Sequence, residues 1–288
     1  MKRLSLILLF TLACRCAFGQ TVERRPDDFY SRELVQGQRP IPYAPLRETD
    51  VLWSTTIWKT IEVQELFNQF FYFPDDPEHA YGKKSLAYIL WDAMAAGEIP
   101  IYEDDDMLIP LDNEEFVANF TKGDTIRLEI GYDDDDNEIY ETFVRQKFFD
   151  GSEVLRYELR EVWFIGKADT RQQSRRLALA PTIDLIKEYG SGITQHVGFT
   201  PLFWIPMQHP RVRTLLARTT AYIDPSNMAS QPSWDWVFLN QYYSAYITRE
   251  SNVYLRSLSD YLTGTDAILE SEAIEDKLME IESDLWEY

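Results

Sequence analysis

Hydrophobic and polar positions change period several times along the chain, and the changes mark its elements. In Val51 to Pro74, VLWSTTIWKTIEVQELFNQFFYFP, residues Ile57, Trp58, Thr60 and Ile61 form no helical face. The spacing predicts a short extended entry there. From Glu62 onward, Val63, Leu66, Phe67, Phe70 and Phe71 recur at helical spacing and predict an amphipathic helix, which Pro74 and Pro77 end. Ser85 stands as the N-cap of a second helix, with Leu86, Ile89, Leu90, Ala93 and Met94 on one face and Gly97 and Pro100 as stop signals.

Period two follows. Ile126, Leu128 and Ile130 alternate with Arg127 and Glu129, and Ile139 and Phe143 alternate with Tyr140, Thr142 and Val144. Both read as half-buried strands joined by a solvated turn at Asp133 to Asp136. That acidic run is not a calcium loop, because Gly is missing from its sixth position and Val144 stands where the twelfth needs Glu. Val154 to Ile165 is a strand with Leu155, Tyr157 and Leu159 opposite Arg156, Glu158 and Arg160. Arg175 to Ala180, stopped at Pro181, and Phe199 to Ile205, stopped at Pro206, are two more. From Ser233 the pattern turns helical: Trp234, Val237, Phe238 and Tyr242 share a face, and Val253, Leu255, Leu258, Tyr261 and Leu262 follow. Last comes a helix from Asp266 to about Leu285, with Ile274, Leu278, Ile281 and Leu285 four, three and four residues apart. The fold class expected is α+β, a small antiparallel sheet of three to five strands flanked by N-terminal helices and a C-terminal helical region.

The ends add an address and an arm. Residues 1–19, MKRLSLILLFTLACRCAFG, read as a secretory signal peptide, with a basic start, an apolar run too short to span a bilayer, and small residues before Gln20. Acylation at Cys14 is the alternative, disfavoured by Thr11 and Leu12. Both cysteines lie in this leader, so neither a disulfide framework nor thiolate chemistry is expected after it. Residues 20–50 carry four prolines and no sustained period, and read as an extended arm, either a free tail or a docking segment. The division expected is 1–19 leader, 20–50 arm, 51–231 α+β core, and 232–288 a helical region packed on that core.

Charge narrows the partners. The chain has 28 Lys and Arg against 48 Asp and Glu, a net charge of −20; removing Lys2, Arg3 and Arg15 with the leader moves it to −23. Such a field opposes phosphate backbones and anionic lipid and suits a basic protein partner. The last helix concentrates it, with nine acids against Lys277 alone between Asp266 and Tyr288. Acids in the final turn oppose the helix dipole, a cost that a basic partner would offset.

Reactive constellations are hard to find. His79, His196 and His209 read as loop residues without a second ligand at metal spacing. No Gly-x-Ser-x-Gly elbow supports a nucleophile, and Gly190-Ser191-Gly192 is followed by no Gly-Lys-Ser/Thr. No cofactor is expected. A carboxylate pair of a secreted glycan hydrolase, or exposed Trp and Tyr of a carbohydrate-binding module, are the alternative readings.

The order of residues is more informative than their composition. The opening stretch places Trp58, Ile61-Glu62-Val63-Gln64-Glu65, Asn68 and Phe71-Tyr72-Phe73-Pro74 in sequence. The middle carries Glu158, Arg160, Glu161 and Trp163, then Pro201-Leu202-Phe203-Trp204-Ile205. The end carries Ser244, Ile247 and Arg249-Glu250-Ser251-Asn252-Val253, then Gly264 with Asp266-Ala267-Ile268-Leu269-Glu270, and Asp284-Leu285-Trp286-Glu287-Tyr288. These blocks resemble the GldN/PorN family of the type IX secretion and gliding machinery. Thr55, Thr56 and Gln64 depart from it where the family carries charge. The resemblance implies a non-enzymatic periplasmic subunit at the inner face of the outer membrane. It implies a ring formed with a GldK/PorK-type outer-membrane lipoprotein, and contact with the periplasmic part of a GldM/PorM-type motor protein. Candidate contact residues are Pro42 and Tyr43 in the arm and Glu282, Asp284, Leu285 and Trp286 at the end of the last helix.

Overall fold

A curled antiparallel sheet organises the molecule, a computed structural model that describes residues 38–75, 80, 82–122, 125–132, 138–144, 148–167, 171–189, 193–224, 231–251 and 256–284. Its longest members are β1 (Val51–Glu62), β6 (Val154–Gly166) and β7 (Gln172–Tyr189). With β8 (Ile193–Pro201) and β10 (Tyr246–Glu250) they run in the order β10-β1-β6-β7-β8, and the short β9 (Ile205–Pro206) also pairs with β7. Two small ribbons lie apart: β2 (Ile101–Tyr102) with β3 (Pro110–Leu111), and β4 (Thr125–Tyr132) with β5 (Glu138–Val144). The helices are α1 (Leu86–Ala95), α2 (Asn113–Thr121), α3 (Pro210–Arg218), α4 (Trp234–Leu239) and α5 (Thr265–Asp284). The fold is α+β as the pattern predicts, with five strands in the main path and helices at both ends.

Alternation decides which face each strand buries. Tyr157 and Leu159 of β6 are buried, as are Ile61 of β1 and Leu179 of β7. They meet α1, whose buried Leu86, Ile89, Leu90, Ala93 and Met94 are the predicted face. Gly97 takes φ +68° beyond that helix, the left-handed conformation that a helix end favours in glycine. Ser85 holds the N-cap position, buried, but its side chain makes no capping bond. Phe71 completes this core, its ring 5.4 Å from Tyr157 and 5.0 Å from Trp234. A smaller cluster unites Ile57, Ile247, Leu258, Ile274 and Leu278, which seats α5 against β1 and β10.

Five local expectations are corrected. The entry at Val51 is no short extension but a strand of twelve residues, and the helix after it is a six-residue 3-10 turn, Leu66–Phe71. Three residues per turn put Asn68 and Phe71 inward together, which leaves Leu66 and Phe67 exposed, where a 3.6 period would have buried them. Pro181 does not stop β7. A strand residue's N–H and C=O point to the same side, and the Pro181 carbonyl accepts from Leu202 where the ladder passes from β9 to β8. The missing donor therefore falls at a gap already present in the pairing. The strand expected over Phe199 to Ile205 is split, β8 ending at Pro201 and β9 holding Ile205 and Pro206. Finally, the C-terminal region is not helical throughout: Tyr246–Glu250 forms an edge strand on β1.

The edge strand is protected. Ser271 of α5, buried, accepts from the Ile247 N–H with its Oγ at 2.9 Å, and Ser257 Oγ donates to the Thr248 carbonyl at 3.0 Å. Side chains thus satisfy backbone groups that an open edge would offer to another strand. The two strands at 125–132 and 138–144 are present as predicted, while the acidic turn between them, the leader, most of the arm, and residues 285–288 lie outside the described residues.

Candidate functional site

Two sequence blocks nearly two hundred residues apart meet along one seam. Trp58 of β1 lies opposite Arg249 of β10, and Thr60 opposite Tyr246, with a register shift between Trp58 and Lys59. Asn68, fully buried, fastens the 3-10 turn to the same region. Its amide donates to the Glu62 carbonyl at 2.9 Å and the Ser244 carbonyl at 2.8 Å, and its Oδ1 accepts from the Ser244 N–H at 2.9 Å. Tyr246 donates its hydroxyl to Glu62 at 3.0 Å, and burial pushes that hydroxyl up to about 12, with the Glu62 charge adding to it. Each is a buried or half-buried side chain that takes a partner from the other block.

On the cleft side of the sheet the seam opens into a space of about 490 Å³ bordered by Trp58, Asp105, Arg156, Glu158, Trp204 and Arg249. The Trp58 indole is held from several directions. The Arg249 guanidinium lies 3.7 Å from its ring centre and that of Arg160 lies 5.4 Å away. Asp105 accepts from both the Trp58 Nε1–H and Arg249. Arg160 in turn donates to the Asp105 carbonyl at 2.7 Å and pairs with Asp106 at 2.9 Å. Arg156 lies 2.6 Å from Glu62 through Nε, an ion pair without hydrogen-bond alignment, and covers Phe199 at 3.5 Å. Glu158 is the exception. Desolvation raises its carboxyl above the usual range, although Arg249 and Arg156 act against that rise and Asp105 adds to it.

At the centre of the cleft two groups are committed inward. Asp105 is committed to a tryptophan and an arginine, and Trp58 has a guanidinium over its face, so neither is offered to a sugar ring or a scissile bond. Among the described residues no group of three His, Cys, Asp or Glu side chains is placed to hold a metal ion.

The opposite face carries a second polar cluster, sealed from solvent. Glu161 and Arg176 are 0% and 3% exposed. Glu161 accepts from Arg176 Nε at 3.2 Å, Tyr243 at 3.0 Å and Trp163 Nε1 at 3.0 Å. Burial beside that carboxylate holds the Tyr243 hydroxyl well above the phenol range. Beside it Arg213 of α3 pairs with Asp235 of α4 through contacts of 3.1 to 3.3 Å.

The sequence-predicted contact residues fall in two places. Tyr43 is half-buried, its ring 4.4 Å from the Arg213 guanidinium and 5.1 Å from that of Arg175, and Arg175 donates to the Ala44 carbonyl at 2.7 Å. Pro42 beside it is exposed. Glu282 and Asp284 belong to the final turn of α5, and Leu285 and Trp286 lie outside the described residues. The structure does not bring the two groups together in one described contact. His209 is the N-cap of α3 and accepts from the Arg211 N–H, His196 lies in β8 rather than in a loop, and His79 is outside the described residues.

Sequence reasoning missed Asp105, which nothing in the acidic run Asp104-Asp105-Asp106 distinguishes from its neighbours. It also missed α3, although Pro210 at the first helical position and Arg218 in the last turn are start and stop signals. No helix among the described residues is long and apolar enough to cross a membrane. No curated protein matches the chain. A family model described as gliding motility associated protein GldN matches residues 46–287. That span takes in both blocks of the seam, the buried Glu161 cluster and the acidic terminal helix, and the chain belongs to the GldN family.

Proposed function

We propose that this chain, a component of the gliding motility and type IX secretion machinery, is a non-enzymatic periplasmic subunit that works through its contacts. It assembles into a ring with an outer-membrane lipoprotein of the GldK/PorK type and meets the periplasmic part of a GldM/PorM-type motor protein. The observation that carries this reading is the family match over residues 46–287. The site geometry agrees with it: Asp105, Trp58 and Arg249 at the centre of the cleft are committed to one another, which suits a rigid part. Force or conformation would pass through surfaces, with acidic faces such as that of α5 setting orientation and association rate. The terminal residues Glu282, Asp284, Leu285 and Trp286, and Pro42 with Tyr43 at the start of the described chain, are the contacts proposed.

The test is affinity recovery of the tagged chain from detergent-solubilised envelope, with the bound proteins identified by mass spectrometry. The reading expects the lipoprotein and the motor protein together, in amounts that fall as salt rises. Recovery of the chain alone would overturn it.

A further inference from the structure

Two helix ends in this molecule carry charge of the wrong sign. Helix α3 begins Pro210-Arg211 and has no acid in its first turn, so Arg211 sits at the positive end of the helix dipole. Helix α5 carries Glu282 and Asp284 in its last described turn, with no base there, so acids gather toward the negative end. Each arrangement costs stability alone, and each would be relieved by the other. Arg211 and Arg218 are both exposed, and among the described residues neither has a carboxylate within ion-pair distance. They flank a groove of about 510 Å³ whose other walls are Glu98, Ile99, Pro210, Thr214 and Leu215. One carboxylate against two guanidinium groups leaves the groove positive in a chain whose net charge is −20.

We infer that this groove receives the C-terminal segment of a second copy, residues 284–288, Asp-Leu-Trp-Glu-Tyr. The segment has the matching chemistry, Asp284 and Glu287 for the two arginines and Leu285 and Trp286 for the Leu215 and Pro210 wall. The two surfaces belong to different parts of the fold, since α5 is seated on β1 and β10 and α3 packs in the larger core with α1 and α4. A contact between unlike patches is head-to-tail, and head-to-tail contacts that repeat with a closing rotation form a ring. The inference rests on the proposed ring and names the contact between its like subunits.

Charge reversal with mixing tests it. One full-length variant carries Arg211→Glu and Arg218→Glu; the other carries Asp284→Lys and Glu287→Lys. In low salt the unaltered chain is expected to form oligomers by size-exclusion with light scattering. Each variant alone is expected to associate about 100-fold more weakly, like charges now facing each other. Mixed, the intact tail of the first fits the intact groove of the second, and the acidic groove of the first faces the basic tail of the second, so the mixture is expected to recover oligomers. Oligomers from either variant alone, monomers in the mixture, or a monomeric unaltered chain would each overturn the inference. The failure is separable from that of the functional reading: a groove variant that still recovers the lipoprotein from envelope leaves that reading standing.

Discussion

The seam between β1 and β10 and the outward end of α3 treat charge in opposite ways. Along the seam three polar groups have partners from the far side of the chain: Asn68 with Ser244, Glu62 with Tyr246, Asp105 with Arg249. On α3, Arg213 is buried against Asp235, whereas Arg211 and Arg218, on the same helix, face outward without a partner among the described residues. The difference separates fold from function. Groups satisfied internally hold the sheet and the terminal helix in register, because an orphaned buried polar group costs more than its bond returns. Charges left unmatched cost little at a surface and remain available to another molecule.

Breaking the inner set should be expensive. Glu161→Ala leaves the buried Arg176 without its carboxylate and removes the acceptor of Tyr243 and Trp163, so urea unfolding should register a loss of about 3–5 kcal/mol. A loss below about 1 kcal/mol would show that this cluster does not secure the sheet. Next in size is Asn68→Ala, which strands the Ser244 N–H and carbonyl; a loss of about 2–3 kcal/mol is expected by the same measurement.

Glu158 sharpens the contrast, being the seam's one carboxylate raised by desolvation. A carboxyl whose folded value lies above its unfolded value favours the protonated state in the fold. Its cost is therefore absent below the unfolded value and complete once pH exceeds the raised folded one. Glu158→Gln should raise Tm at neutral pH, and the gain should vanish as pH falls below the ordinary carboxylate range. A gain that persists in acid would mean that shape, not charge, is responsible. Smallest is the effect of Arg211→Glu with Arg218→Glu on stability, expected within about 0.5 kcal/mol because both side chains are exposed. A larger loss would make these arginines part of the fold.

How much of this was legible in the sequence follows from what each element depends on. Helix α1 and strand β6 were readable because a single period and local stops define them, and the buried faces are those predicted. Strand β10 was not. Tyr246 to Glu250 carries no alternation strong enough to outweigh the helical pattern on either side, and only pairing with β1 makes it a strand. The 3-10 turn was hidden for a related reason, since Asn68 rather than an apolar side chain fixes its inward face. Of the seam, the sequence showed both blocks and their order, but not that Trp58 and Arg249 would share Asp105. Long-range pairing leaves no local pattern to read.

The most direct test of the account uses cells that lack this chain and measures type IX cargo in the medium after complementation. If the chain works through contacts, Glu158→Gln should restore secretion fully, because the cleft carboxylate performs no chemistry. Arg211→Glu with Arg218→Glu should fail to restore it, although the protein is folded and exported. Secretion lost with Glu158→Gln and kept with the arginine reversals would contradict the account and point back to the cleft as a reactive site.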